Sequence, residues 1–276
     1  MDFGLVAKPD IARARTTSRM VLNFLRTQRK VVRVVVEERL ARSLKVEGVP
    51  LDRINVDVIV SIGGDGTVLK ALQEARGRIF AINAGVLGFL TEVPVEHAIS
   101  GLKRIVEGKY IVEKRLRLKT VLRGRRLYDC TNEAVIHTAT TSKMRHYRIY
   151  LSGQQVDDVR ADGIIVATPT GSTCYAMSAG GPIIDPRVKG FVIVPLAPFK
   201  MSARAVVVPC NRKLSVCLMD DKPSKLVLDG QVEETLAPGT TVEFSASERP
   251  AEFIRFRSDF YENLREKLLV DPFVLR

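Results

Sequence analysis

The sequence predicts an α/β N-terminal domain with a Rossmann-like, mostly parallel sheet, followed by a β-rich domain of sandwich type. Three observations carry this. In the first part of the chain short apolar runs alternate with stretches of helical spacing, the pattern of parallel strands joined by right-handed crossovers. From about Tyr110 the period changes to strict alternation, as in half-buried antiparallel strands. Near the C-terminus helical spacing returns. The expected boundaries are 1–108 for the α/β domain, with 258–276 returning to it, and 109–257 for the β-rich domain.

The elements follow in order. Phe3-Gly4-Leu5-Val6-Ala7 reads as a short buried strand closed by Lys8-Pro9-Asp10, with Asp10 as a cap for the next helix. In that helix Ile11, Ala14, Ser18, Val21 and Leu25 share a face. Val31 to Val36 is a second strand, followed by a polar stretch through Gly48-Val49-Pro50. Val56 to Val60 is a third strand, and Val68 to Arg76 a helix of good helix formers. Arg78 to Asn83 is a fourth strand, and Pro94 opens a helix running to about Val106.

Beyond Tyr110, Arg115 to Lys119 alternates strictly. Strands are then expected at Leu127–Cys130, Glu133–His137, His146–Leu151, Ile164–Ala167, Phe191–Val194, Ala205–Val208, Lys213–Leu218 and Lys225–Leu228. Little between them is helical except the stretch after Gly171. Asp259 with Glu262 signals a last helix, with Phe260, Leu264 and Leu268 on one face. An isolated terminal helix needs an apolar surface, so it is expected to cross back to the first domain.

At 276 residues, 46% hydrophobic and 27% charged, the chain has ample apolar content for a core. The formal net charge of +12 suits an anionic partner without choosing among nucleotides, polyphosphate, nucleic acid or an acidic surface. The basic residues are scattered, and no aromatic-rich basic stretch points to nucleic acid. No apolar run approaches the length of a membrane helix, and the first residues lack a secretion signal, so a cytoplasmic setting is expected. Cys130, Cys174, Cys210 and Cys217 show no CxxC spacing, so no zinc or redox motif is suggested. They are expected to be reduced, small and buried, a disulfide remaining open for a hyperthermophilic source.

Four blocks carry chemistry. In Ser61-Ile62-Gly63-Gly64-Asp65-Gly66-Thr67, glycines and one acid sit where a strand becomes a helix. Glycine lets a phosphate approach the backbone, and a helix N-terminus offers it free N–H groups. Asp65 would repel phosphate, so it either takes a proton from an attacking hydroxyl, touches a metal, or merely caps the helix. A second glycine turn, Ala84-Gly85-Val86-Leu87-Gly88-Phe89-Leu90, lies at the same sheet edge and is expected to face the same cleft. Asn132-Glu133 begins a strand, where an amide beside a carboxylate suits the hydroxyls and ring edges of a nucleoside. Finally, Thr168-Pro169-Thr170-Gly171-Ser172-Thr173-Cys174-Tyr175 ends a strand with hydroxyls and bare backbone, a setting for a polar heterocycle with Tyr175 as aromatic face. Asp229-Gly230-Gln231 reads as a turn.

With Asn83 before the second turn, Asp162-Gly163 before the block that ends at Tyr175, and Asp229-Gly230-Gln231 after it, these blocks in this order resemble the NAD kinase family over nearly the whole chain. The GGDGT block is shared with lipid kinases and phosphofructokinases; the block through Tyr175 is the specific one. The resemblance implies an active site between the two domains, with Asp65 as general base toward the adenosine ribose 2′-hydroxyl of NAD. It implies that Gly63, Gly64 and Gly66, with Thr67, admit phosphates and that Lys70 meets phosphate from the next helical turn. Phe89 would pack by the dinucleotide, and Asn132 and Glu133 would hold its ribose hydroxyls. Asp162 would sit near the nicotinamide end with Arg160 beside it. Thr170, Thr173, Cys174, Tyr175 and Ser178 would line the adenine pocket, with Gln231 and Lys143 as weaker transfers. Cys174 stands where the family commonly has alanine, a small-for-small change.

The same resemblance implies NAD and ATP or polyphosphate as substrates, and Mg2+ or another divalent ion arriving on the donor rather than in a carboxylate cage. It implies no tightly bound organic cofactor, and a homodimer or homotetramer. The competing expectations are a lipid or sugar kinase sharing the GGDGT turn, and a non-catalytic dinucleotide- or nucleic-acid-binding protein.

Overall fold

The computed structural model describes residues 1–85, 88–140, 143–200, 202–257 and 260–265. The chain forms two compact units, Met1–Lys114 with Ala251–Arg276, and Arg115–Pro250.

The first unit runs β1 (Asp2–Ala7), α1 (Ala12–Arg26), β2 (Arg33–Val36), α2 (Glu38–Leu44), β3 (Asn55–Gly63), α3 (Asp65–Glu74), β4 (Arg76–Asn83), β5 (Val93–Pro94), α4 (Ala98–Val106) and β6 (Ile111–Arg115). Near-continuous Val and Ile in β3 make it a strand buried on both faces, which is why it lies inside the sheet. It pairs parallel with β1 and β4. Helix α1 buries Ala14, Ser18, Val21 and Leu25, as its spacing predicts. Asp10 is not its cap: Ile11 takes that place and no side chain caps the start. The stretch before Gly48 is not all loop but holds α2, capped by the Glu37 carboxylate on the Leu40 N–H.

The second unit holds β7 (Leu118–Leu122), β8 (Arg125–Arg126), β9 (Glu133–Thr138), β10 (Arg145–Leu151), β11 (Gln154–Ala161), β12 (Gly163–Ala167), α5 (Tyr175–Ser178), β13 (Gly190–Leu196), β14 (Val206–Pro209), β15 (Leu214–Leu218), β16 (Ser224–Leu228), β17 (Val232–Leu236) and β18 (Thr241–Ala246). They make two six-stranded sheets, ordered β11-β10-β15-β18-β7-β8 and β14-β13-β12-β9-β16-β17. Alternating residues such as Tyr147, Ile149, Leu214, Val216, Leu226 and Leu228 form its core. Residues Leu127 to Asp129 are not a strand, and Cys130 makes only an isolated bridge with Leu118. The alternating stretch from Arg115 breaks at Leu116-Arg117, so its two ends serve different sheets.

The chain returns to the first sheet through β19 (Ala251–Arg255), which pairs parallel with β4 at Phe253 and Ile79 and lies between β4 and β6. The units therefore change over at 114/115 and 250/251, against the expected 108/109 and 257/258. Only then comes α6 (Phe260–Leu264), a short helix in the first unit. The expected cap Asp259 and the face residue Leu268 lie outside the described residues, as do Val86 and Leu87 of the second glycine turn. No helix among the described residues is long and apolar enough to cross a membrane.

Candidate functional site

Strand β3 ends at Gly63, and Asp65 opens α3, with Gly64 as the capping residue. No side chain caps this helix start, and the Thr67 and Val68 N–H groups turn back to the Gly64 carbonyl at 3.0 and 3.4 Å. A Cβ on Gly63 would collide with Thr67, which makes Gly63 a packing glycine; one on Gly64 would meet nothing within 4 Å. The half-buried Asp65 carboxylate turns to the second glycine turn. Its Oδ2 accepts the Phe89 N–H at 2.8 Å and its Oδ1 the Leu90 N–H at 3.1 Å. Gly88 lets that turn close: any Cβ there would collide with the carboxylate. Asn83, buried at the end of β4, accepts the Gly85 N–H through Oδ1 at 2.9 Å. The two glycine turns thus meet at Asp65, as their shared sheet edge suggested. Lys70 is half-buried on α3, and Phe89 is half-buried beside Asp65.

In the second unit Asn132 and Glu133 are buried at the start of β9. Their placement depends on a residue that the sequence offered only as part of a turn. Asp229, 4% exposed and with φ of 48°, accepts N–H bonds from Thr131 at 2.7 Å, Asn132 at 2.8 Å and Glu133 at 3.1 Å. The signals available for it were its Asp-Gly turn, which tolerates positive φ, and its place among the blocks of the resemblance. Asn132 Oδ1 and Glu133 Oε2 are buried without a hydrogen-bond partner. Burial, and then the neighbouring Asp229, push the Glu133 carboxyl up to about 8. Burial raises Asp229 too, against the three N–H donors and the charge of Arg117.

The turn after β12 packs on the same strand start. Thr168 donates through Oγ1 to the Thr131 carbonyl at 2.6 Å, and its N–H reaches the Asn132 carbonyl at 2.8 Å. Gly171 is required here, since a Cβ would overlap the Asn132 backbone, with Asn132 Cα only 2.7 Å away. Hydroxyls of this turn have partners within the fold. Ser172 bonds the Pro169 carbonyl and the Ile184 N–H, and Thr173 bonds the Thr170 carbonyl. Thr170 Oγ1 accepts from Arg115 at 3.5 Å. Tyr175 and Ser178 are exposed and Cys174 is half-buried. Asp162, between β11 and β12, is half-buried; Arg160, Lys143 and Gln231 are exposed. All four cysteines are free, but only Cys130 is buried, and burial pushes its thiol well up, leaving it inert. Among the described residues no three His, Cys, Asp or Glu gather as a metal site.

An α/β unit whose glycine turn opens a helix without a side-chain cap is thus joined to an antiparallel unit with buried polar atoms that lack a partner, a combination suited to a phosphorylated ligand. Comparison with known proteins makes this particular. The model of the ATP-NAD kinase N-terminal domain matches residues 3–110, and that of the ATP-NAD kinase C-terminal domain matches residues 131–256. The chain is 41% identical over 276 residues to the NAD kinase of Methanothermobacter thermautotrophicus, covering 98% of this chain and 96% of that one. To the NAD kinase of Thermoplasma volcanium it is 38% identical over 270 residues, covering 98% of each. The crystal structure of an NAD kinase from Archaeoglobus fulgidus in complex with ATP superposes with a TM-score of 0.74 at 29% identity, over 96% of this chain and 98% of that one. Yeast NADH kinase complexed with NADH shares the fold, with a TM-score of 0.91 at 21% identity over 98% and 87% of the two chains. The chain belongs to the NAD kinase family and is a phosphotransferase.

Proposed function

We propose that the chain transfers the terminal phosphoryl group of ATP to the 2′-hydroxyl of the adenosine ribose of NAD, giving NADP. The observation that carries this reading is the start of β9, where Asn132 Oδ1 and Glu133 Oε2, two of the buried side-chain polar atoms without a hydrogen-bond partner, stand on adjacent residues. A buried polar atom left unpaired costs about 1–3 kcal/mol, a cost that ligand hydroxyl or amide donors would remove. Asn132 and Glu133 hold the dinucleotide in this reading, with Asp162 and Arg160 toward its nicotinamide end. Cys174, Tyr175 and Ser178 contribute to the adenine pocket together with the Thr170 and Thr173 backbone, and Gln231 and Lys143 are peripheral.

In the reaction the O2′–H bond breaks and its proton passes to the Asp65 carboxylate. The O2′–P bond forms as the bond from the γ-phosphorus to the β,γ-bridging oxygen breaks, and ADP leaves. Gly64 and Gly66 at the open helix start, with Thr67 and Lys70, accept donor phosphates. Mg2+ would arrive with the donor substrate and would supply neutralisation of charge on its phosphates. Asp65 keeps lone pairs for the hydroxyl beyond the two amides it binds, so orientation is its first contribution. Polyphosphate is the alternative donor. We read the setting as cytoplasmic and the assembly as a homodimer or homotetramer, the latter checked by sedimentation.

The test is purified protein with NAD and MgATP or Mg-polyphosphate, with NADP read by an NADP-specific dehydrogenase. Asp65→Asn is expected to lower kcat by about 100-fold or more, the range of a lost general base. No NADP from the wild type, or undiminished NADP from the variant, would overturn the reading. A lipid or sugar kinase would phosphorylate its own acceptor in a substrate panel and leave NAD untouched.

A further inference from the structure

Asp65 does not hold the second glycine turn by itself. The Leu90 peptide is gripped at both ends: its N–H donates to Asp65 Oδ1 at 3.1 Å, and its carbonyl accepts from Arg255 Nη1 at 3.1 Å. Arg255 lies on β19, 165 residues further along the chain from Leu90. The same Nη1 reaches the Thr91 carbonyl at 3.4 Å and Glu92 Oε2 at 3.1 Å, while Nε donates to Glu113 Oε2 at 3.0 Å. Glu92 uses its other oxygen to accept the Phe256 N–H at 2.6 Å. The guanidinium is 8% exposed by side chain and stands 5.0 Å over the Phe253 ring.

We propose that Arg255 is a positioning residue for the catalytic carboxylate: it fixes the Phe89–Thr91 backbone from behind, and that backbone fixes Asp65. This rests on the reading of Asp65 given above. The chemistry of the group supports it. Removing a guanidinium from water needs compensation, and here two carboxylates and two carbonyls supply it. A planar fork can point one nitrogen at the turn and another at Glu113 simultaneously; an ammonium is a single point and cannot. Leu90 belongs to the same buried hydrophobic cluster as Val68, Leu69, Leu72 and Phe253, so turn, α3 and β19 share one core. A carboxylate held through such a core reaches the attacking hydroxyl in one orientation, and a shift of about 1 Å at such a site costs up to about 100-fold in rate.

The test uses the full chain with Arg255→Lys, which keeps the charge and loses the fork, and Arg255→Gln, which loses both. For Arg255→Lys, kcat is expected to fall about tenfold while KM for NAD and for ATP stays within about twofold, the signature of lost transition-state orientation. In an Asp65→Asn background the same substitution should give no further loss, because it acts through the carboxylate. Equal losses in both backgrounds, or a change in KM alone, would refute the idea. A second readout is independent of turnover. Amide hydrogen exchange at Phe89 and Leu90 should speed up about tenfold or more in Arg255→Lys, and further in Arg255→Gln, with β12 amides unchanged. Unaltered protection at Phe89 and Leu90 overturns the inference even in an active enzyme. Absence of NADP formation by the wild type overturns only the functional reading.

Discussion

Asp229 and Glu133 are two carboxyl groups enclosed together, and their surroundings divide the labour between them. Asp229 receives three backbone N–H bonds and faces Arg117, so it keeps the negative charge. Glu133 has no such donors on Oε2, and burial beside Asp229 raises it to about 8, so it carries a proton at neutral pH. This has a consequence for stability. The unfolded group sits at its ordinary 4.5 and the folded one at about 8, so between those values the folded chain binds the proton more tightly. Its contribution is therefore full below the ordinary value and is lost as pH rises through about 8. Urea unfolding from about pH 5 to about pH 8 should show wild-type stability falling relative to Glu133→Gln, which lacks this term. Parallel curves for the two proteins would contradict the assignment. Asp229→Asn puts an N–H2 group where an acceptor is needed. It should cost about 1–3 kcal/mol in thermal or urea unfolding. It should also raise KM for NAD more than it lowers kcat, and move the Glu133 titration downward. An unchanged KM would show that the clamp does not set the dinucleotide site.

The glycine turns separate into those that shape the fold and those left open. Gly171 lies against the Asn132 backbone, so the Cβ of Gly171→Ala forces the start of β9 to move. Gly64 has empty space where its Cβ would be and an ordinary φ of −105°. Gly171→Ala should lower stability by about 1–3 kcal/mol, as overpacking does, and weaken NAD binding with it. Gly64→Ala should unfold at the wild-type midpoint yet raise KM for ATP about tenfold or more, since the methyl enters the space proposed for phosphate. Differential scanning calorimetry with steady-state kinetics on both variants checks the contrast; a destabilised Gly64→Ala would remove it. Two of the overlooked strands share a cause, which does not extend to β18 and β19, interior strands that were also missed. Strands β11 and β17 are sheet edges rich in Gln, Asp, Glu and Arg, so they lack the apolar face that makes a strand legible. Helix α2 has only seven residues and buries just Leu40, Ala41 and Leu44, too few turns for a clear period.

The chain leaves its first unit once and returns to it once, and the return is a strand. Because β19 lies between β4 and β6, the first unit is incomplete without the residues after Pro250. A fragment of residues 1–114 should therefore fail to unfold cooperatively by circular dichroism. A fragment of residues 115–250, with both of its sheets contiguous, should show a sigmoidal transition. A cooperative 1–114 fragment would mean that β19 is dispensable. The same topology divides what could be known in advance. Periodicity placed β1, β3, α3 and β4, and the shift to alternation announced the antiparallel unit, because burial on one or two faces imprints the sequence directly; Pro94, expected to open the next helix, lies in β5, and α4 begins only at Ala98. The block order drew attention to Asp65, Asn132 and Glu133, the residues on which the proposed function rests. Three matters were decided only by the folded chain: that Asp65 binds the Phe89 and Leu90 amides, that Asp229 clamps the strand start 97 residues before it, and that Arg255 braces the turn. The reason is physical. A side chain's hydrogen-bonding capacity is written in its residue type, whereas backbone N–H and carbonyl groups are the same in every residue. Which of them it meets is set by packing between distant segments.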